Sequence, residues 1–533
     1  MGRKDHSLTW TLLLLSGVLI LVLVGMHVLL ARANAHGSNR ANTGGGKTLI
    51  FAQASDADTL DPADITSKDT MNIAHMLFGA LYSVSNDGEL EPYLAESSQF
   101  APDGKSITFK IRPGLRCEDG MPLTAKDVAY SFDRAADPKL AFTGSAAGFV
   151  IPALGYLSSR VDDPLTVTLL LKKLNPIALG LISEMHIVCK ASYEKMSKEQ
   201  AATHPVSSGP YRLREWLHDD SMVLERNKYF TLPHSSYDNI IWRVMPEAST
   251  RSAELIAGNV DIITGVAPDQ IDAINNSDTA RAETVVSTRR MYVGFNQKES
   301  FSSNPGGRAI KNPNVRVALQ YAVDVSAICE SLLLTPCRRM ATIVIPRNDH
   351  SGVVPYPYDP DKAERLLDQA GYPRDKHGVR FELTLQTSNT PLELANIALA
   401  IGQYLTDVGV KTNVQTLDHT SMFIPLVRQR NAGPAYLLST GGALWSELYD
   451  MSDLATQDAG TNYTNWDDPA FFDGWAKLDK TNDQLEQQAI INGMLREFAA
   501  RGPWLFLFCQ PDSYGINKKI PWHPRADEQI TLP

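Results

Sequence analysis

The sequence predicts an α/β protein built as two lobes. Three observations carry that reading. The chain has 533 residues, more than one ordinary domain holds. Strand and helix signals alternate along it rather than segregating. And from Phe381 a strand (Phe381–Gln386), a helix (about Leu392–Val408, ended by Gly409) and a second strand (Val410–Leu417) form a βαβ unit. Such a unit implies partly parallel sheet.

The other elements follow in order. Leu49-Ile50-Phe51 reads as a strand. Ile107, Phe109 and Ile111 recur with period two, as do Val167, Leu169 and Leu171, so each set marks a half-buried strand. Thr124 and Asp127 bracket a helix start, with Val128 and Phe132 one turn apart on the same face. Gly209-Pro210 forces a turn. Asn312-Pro313 opens a helix carrying Val315, Ala318, Leu319 and Ala322 at helical spacing. Asp359-Pro360 opens another, closed by Gly371. Pro503 to Phe508 reads as a buried strand.

The N-terminus is read separately. Arg3 and Lys4 make a basic start, Trp10 to Leu30 is nearly all apolar, and Ala33-Asn34-Ala35 gives a small-x-small pattern. That is the anatomy of a secretory signal peptide cut after Ala35. The apolar run is also long enough to span a bilayer, so an uncleaved anchor is the alternative. Residues 36–47 are rich in Gly, Ser, Asn and Ala and read as a flexible linker. Gly46-Lys47-Thr48 ends like a phosphate loop, but Ala41 stands where the first Gly is needed and a strand follows instead of a helix.

Charge and composition exclude some functions. The formal net charge is −10, and an acidic body argues against nucleic acid as a partner. The glycine-flanked nucleophilic serine and the zinc-protease helix motif are both absent. The carboxylate pairs Asp219-Asp220 and Asp467-Asp468 sit in polar turns. No catalytic residue, metal site or cofactor is expected; an exported hydrolase is kept only as a remote alternative. Of five cysteines, Cys329 and Cys337 are the best-placed pair by spacing, and the odd count leaves at least one thiol unpaired if all bonds are internal. Buried unpaired thiols are the competing reading.

One stretch is more specific. Residues 107–130 run from a strand through Lys110-Ile111-Arg112-Pro113-Gly114, then Cys117, Asp119-Gly120, Pro122 and Thr124-Ala125-Lys126-Asp127-Val128. This resembles the signature of the family 5 extracellular solute-binding proteins, which include dipeptide-, oligopeptide-, glutathione- and nickel-binding members. Cys117 replaces the usual aromatic. Further blocks resemble the family in the same order: Thr59-Leu60-Asp61-Pro62, Ser208-Gly209-Pro210-Tyr211, Glu254 to Asp261, Tyr292 to Asn296, Asn314 to Asp324 and Tyr358 to Ala363. The likeness runs from about residue 48 to the C-terminus. Within it, Arg316 is expected to form a structural ion pair rather than to clamp a ligand.

The resemblance implies a large, class II periplasmic-binding-protein fold that closes by a hinge. It implies lobe I over 48–290 with an inserted subdomain, lobe II over 291–503, and a return segment at 504–533. The hinge is expected near Met291 and Asn296 on the outgoing strand and near Arg501 and Leu507 on the return. The implied function is the substrate-binding component of an ABC importer, a periplasmic monomer. It would capture a peptide or peptide-like solute and hand it to permease subunits in the membrane. A membrane-tethered sensor or chaperone-like binder on the same fold is the alternative. Expected ligand residues are Thr66, Ser67 and Lys68 in the first lobe and Gly441, Gly442, Trp445 and Glu447 in the second. Peptide binders of the family carry Gly-Trp-x-x-Asp in the latter region; here the Trp and the acid are displaced, and Glu447 stands in for the Asp. Where a dipeptide binder offers an Arg for the carboxylate, this chain has Ser388-Asn389-Thr390, which argues against simple dipeptides.

Overall fold

The computed structural model describes residues 46–389, 392–442, 445–455, 462–478, 480–481 and 483–532. The signal-peptide segment 1–35 and most of the expected linker lie outside them. So do Thr390, Ala443 and Leu444, named above.

One ten-stranded sheet runs through the molecule. Its order is Val410–Leu417, Phe381–Ser388, Ala435–Thr440, Ala280–Phe295, Trp504–Asn517, Ile262–Ile263, Thr48–Gln53, Asn239–Val244, Ser221–Arg226 and Tyr211–Leu217. The two central strands, Ala280–Phe295 and Trp504–Asn517, are by far the longest. They pair antiparallel over their whole length, so a single ladder joins the two lobes. The ladder is interrupted between Val286 and Arg290, opposite Cys509 to Pro511. On one side of the interruption, Ala280–Val286 pairs with Pro511–Asn517 and Ile262–Ile263 continues the sheet towards Thr48–Gln53. On the other, Arg290–Phe295 is flanked by Ala435–Thr440 and by Trp504–Cys509.

The expected βαβ unit forms. Phe381–Ser388 and Val410–Leu417 pair parallel in full register around the helix Leu392–Asp407. Gly409 ends that helix at φ +91°, a left-handed conformation that costs glycine least. Leu383 and Leu385 on the strand pack against Ile397, Ile401 and Leu405 on the helix in the second lobe's core. That core also takes in Met291, Val293, Leu505, Leu507 and Phe508. The other helix starts follow the expected chemistry. Thr124 and Asp127 close a capping box on Ala125–Ala136. The side chains of Asn312 and Asp359 cap Pro313–Ala322 and Pro360–Gln369.

The first lobe carries a separate four-stranded sheet, in the order Ala95–Phe100, Ser106–Ile111, Thr166–Leu171 and Tyr156–Asp163. Ile107, Phe109 and Ile111, and Val167, Leu169 and Leu171, are its buried face, as their period-two spacing requires. Helix Ala125–Ala136 covers that face with Val128 and Phe132. This sheet is separate from the ten-stranded one and falls within the span expected for the inserted subdomain.

Two disulfides form. Cys329 and Cys337 bridge with their Cα atoms 5.7 Å apart, as their spacing suggested. Cys117 and Cys189 also bridge, with Cα atoms 6.3 Å apart, and no spacing rule marks that pair. Cys509 is free and buried. Arg316 departs from expectation. It is buried, and its guanidinium donates to the backbone carbonyls of Gly502 (3.0 Å), Ile310 (2.9 Å), Lys311 (2.9 Å) and Arg501. Its role is structural, but carbonyl capture replaces the expected ion pair. Among the described residues no helix is long and apolar enough to cross a membrane.

Candidate functional site

Gly441 and Gly442, which follow strand Ala435–Thr440, are held by a buried ion pair. Their anchor is Arg290, fully buried at the edge of the ladder interruption. The guanidinium donates to the carbonyls of Gly441 (2.6 Å), Ile343 (2.9 Å) and Asp450 (3.1 Å). The Asp450 carboxylate, also fully buried, lies 3.6 Å from it and accepts from the Ile345 amide at 3.1 Å. A buried cation is tolerated when it is paired and hydrogen-bonded in this way. Gly442 is required by the same packing, because a Cβ there would lie 2.6 Å from Asp450 Oδ1. A side chain at Gly441 would meet open space. Arg290 and Asp450 thus hold Gly441 and Gly442, and the helix Glu447–Ala455 follows.

From that base two aromatic side chains reach the first lobe. The Trp445 indole lies on Gly180 of helix Ala178–Ser183, so closely that a Cβ at 180 would overlap the ring. Tyr449 packs edge-on against Trp445, with centroids 5.0 Å apart, and against Phe149 at 5.6 Å. Close by, Arg347 of the second lobe donates to the carbonyl of Asp87 in the first. Glu447 begins the helix half-buried, and one carboxylate oxygen, Oε2, is buried with no hydrogen-bond partner. Burial pushes its carboxyl above the usual carboxylate range, against smaller opposing effects of Gln488 and His350.

The expected first-lobe residues are differently placed. Thr66 donates its hydroxyl to Asp58 at 2.6 Å. Ser67 caps helix Lys68–Leu77, accepting from the Thr70 amide at 3.2 Å and donating to the Thr70 hydroxyl at 2.8 Å. Both therefore shape their own loop. Lys68 opens the helix and its charge acts on Glu528 of the C-terminal tail. Gly441, Gly442, Trp445 and Glu447 are brought together in one connection.

The four expected hinge residues all lie in the second lobe. Met291 and Leu507 are core residues of its strands. Asn296 is fully buried, donating to the carbonyls of Ala432 (2.7 Å) and Arg430 (3.3 Å). Arg501 ends helix Gln484–Arg501 and pairs with Glu497 (3.2 Å) and Asp468 (3.3 Å). The ladder interruption instead centres on Ser287, Thr288 and Arg289. Ser287 donates to the carbonyl of Gln510 at 2.9 Å, and the Thr288 amide donates to Ala526 in the tail at 2.7 Å. Arg289 forks onto Glu528 at 2.7 and 3.0 Å. Burial and the neighbouring Glu528 push Asp512 up to about 7. Burial alone would raise Glu528 too, but Arg289 beside it holds it below the usual range. Sequence reading missed Arg289, Arg290, Asp450, Gly180 and Asp512. Arg290 and Asp450 meet across 160 positions, so no local pattern announces them.

Two open cavities, of about 280 and 340 Å³, lie on outer faces, one beside Glu118 and His204 and one beside Tyr321 and Pro355. Neither includes an expected ligand residue. Among the described residues no group of three His, Cys, Asp or Glu side chains is placed to hold a metal ion.

Compared with known proteins, residues 89–482 match the family model described as bacterial extracellular solute-binding proteins, family 5. A glutathione-binding protein of Pectobacterium atrosepticum is 27% identical over 491 residues, covering 89% of this chain and 91% of its own. Among solved structures, an ABC transporter substrate-binding protein of Listeria monocytogenes superposes with a TM-score of 0.78 at 21% identity, covering 91% of this chain and 98% of its own. A periplasmic binding protein of Helicobacter pylori, solved with the peptide STSA, gives 0.76 at 20% identity, covering 91% and 98%. The likeness to these structures concerns the fold. The chain belongs to family 5 of the bacterial extracellular solute-binding proteins.

Proposed function

We propose that this family 5 solute-binding protein is the substrate-binding component of an ABC importer. In this reading it captures a peptide or peptide-like solute in the periplasm and delivers it to membrane permease subunits. The observation that carries the reading is the connection after Thr440. Its first residue, Gly441, is bonded to Arg290 in one lobe, Trp445 and Tyr449 beyond it reach the other lobe, and a buried oxygen of Glu447 has no hydrogen-bond partner. An acceptor of that kind suits the amino group of a peptide-like solute, because a charge-assisted bond there would satisfy an otherwise costly buried atom. The similarity to a glutathione-binding relative supports a short, amine-bearing cargo over a long peptide.

The motion in this reading is a hinge at Ser287–Arg289 and Cys509–Pro511, where the ladder is interrupted. Lobe I then comprises 48–286 with the tail from 512, and lobe II the residues between. Segment 1–35 directs export.

Calorimetry with glutathione, defined di- and tripeptides and nickel–histidine tests the assignment. Saturable binding of one class, with a raised Tm, is the expected result. Glu447→Gln should weaken amine-bearing solutes about tenfold or more and leave N-acetylated analogues unchanged. No binding across all three classes would sink the reading.

A further inference from the structure

We infer that Trp445 and Tyr449, seated on Gly180 and Phe149, form an aromatic latch that sets how often the two lobes are closed, whether or not a solute is bound. The inference rests on the two-lobe capture reading but not on any cargo.

The argument begins with Gly180. It is buried in the short helix Ala178–Ser183, whose neighbours Ala178, Leu181 and Ile182 belong to the inserted subdomain's core. Its backbone is not in the left-handed region, so conformation does not call for glycine there. Helix propensity disfavours it, since glycine is a poorer helix former than alanine. The observed reason for its lack of a side chain lies in the other lobe: the space a Cβ would take is filled by the Trp445 indole. The indole is steadied from behind by Tyr449, which also meets Phe149 of the subdomain edge-on. Phe149, Trp445 and Tyr449 all pack against one continuous apolar cluster. Tyr449 lies one residue before Asp450, whose backbone carbonyl and carboxylate are held at Arg290, so its ring is placed by a buried anchor. The contact also bounds the cleft. Where the indole meets the helix backbone no solute group passes, so cargo must end short of Trp445.

The latch predicts a closed population in the protein alone. Double electron–electron resonance between spin labels on Leu157→Cys and Leu399→Cys reads it, since both positions are well exposed (57% and 59%) and lie on different lobes. The native sequence should give a short-distance population without solute. Gly180→Ala and Trp445→Ala should each lower the closed-to-open ratio about tenfold, the scale of one good aromatic contact. Gly180→Ala improves the helix, so its effect would not reflect loss of that helix. The double variant should match Trp445→Ala alone, because both changes remove the same contact. Distance distributions that coincide for all variants, a native protein without the short distance, or fully additive losses would each overturn the latch. Calorimetry with glutathione and tripeptides reports separately on the capture reading.

Discussion

Each lobe buries an arginine against an aspartate, and the two pairs are built differently. In the first lobe Arg134 forks onto Asp61, with both guanidinium nitrogens on both carboxylate oxygens at 2.8 and 2.5 Å. In the second, Arg290 and Asp450 stand 3.6 Å apart, and Arg290 directs its N–H groups at three carbonyls. The first pair ties the loop at Asp61 to helix Ala125–Ala136, with Asp61 also accepting from the Ala63 amide and Arg134 lying over the rings of Phe142 and Tyr193. The second organises three separate segments at once, and from it the residues of the candidate cleft are suspended. A fork fixes two points; a guanidinium shared among carbonyls fixes a neighbourhood. The first lobe also has a carbonyl-binding arginine, buried Arg251, which donates to the carbonyls of Met245, Pro246, Thr264 and Gly265. What sets Arg290 apart is the buried aspartate beside it and its bond to Gly441, at the start of the connection that carries the displaced Trp and acid.

Arg290→Met gives the sharpest test of that contrast. It strands a buried carboxylate and three carbonyls, and should cost about 5 kcal/mol in denaturant unfolding, with loss of solute binding. A cost below that of the Asp61 variant would break the comparison. Replacing both Cys117 and Cys189 by Ala comes next. Their separation of 72 residues gives about 4 kcal/mol by chain entropy, against about 2.5 kcal/mol for the eight-residue separation of Cys329 and Cys337. Differential scanning calorimetry of the two double variants would show whether the first lobe depends more on its covalent link. Asp61→Asn should cost about 3 kcal/mol and leave solute affinity unchanged, since that pair is remote from residues 439–450.

The smallest effect lies at the crossing. Asp512 is pushed up to about 7, so the folded protein holds a proton there that the unfolded chain releases near 4. Between those values the folded state binds more protons, and this group's contribution to stability falls as pH rises. The carboxylate faces Glu528 of the tail and Arg289 of the connector, with Ser287 and Gln510 as hydrogen-bond neighbours and Tyr514 on its own strand. Asp512→Asn should flatten the pH dependence of Tm between about pH 4 and 7 and raise Tm at pH 8. An unchanged slope would remove Asp512 from the account.

Much of the fold was legible because its signals are local. Thr124 with Asp127, Asn312-Pro313, Asp359-Pro360 and Gly409 each act within one turn of chain. The period-two runs at Ile107 and Val167 need only a neighbouring strand to bury them. The family blocks lie in these same stretches, which is why the fold and family were within reach. Arg134–Asp61 was half legible, since Asp61 sits in such a block and Arg134 in a helix whose start was readable. Thr66 and Ser67 were read as ligand residues because their order fits the family's first pocket loop; the bonds their hydroxyls make to Asp58 and Thr70 could not be read from that order. The hinge expected at Met291, Asn296, Arg501 and Leu507 rests on family order, and the one proposed at Ser287–Arg289 on where the ladder is interrupted, which a strand pattern in sequence does not locate.

The sequence by itself determined an α/β chain, the βαβ unit and the solute-binding family, since propensity, capping and apolar period are properties of neighbouring residues. Only the tertiary structure decided that Cys117 meets Cys189, that Arg290 holds Gly441 and Asp450, and that the absent side chain of Gly180 makes room for Trp445. Those contacts join residues 72 to more than 260 positions apart, and over such distances a residue's partner is set by how the sheet and helices stack.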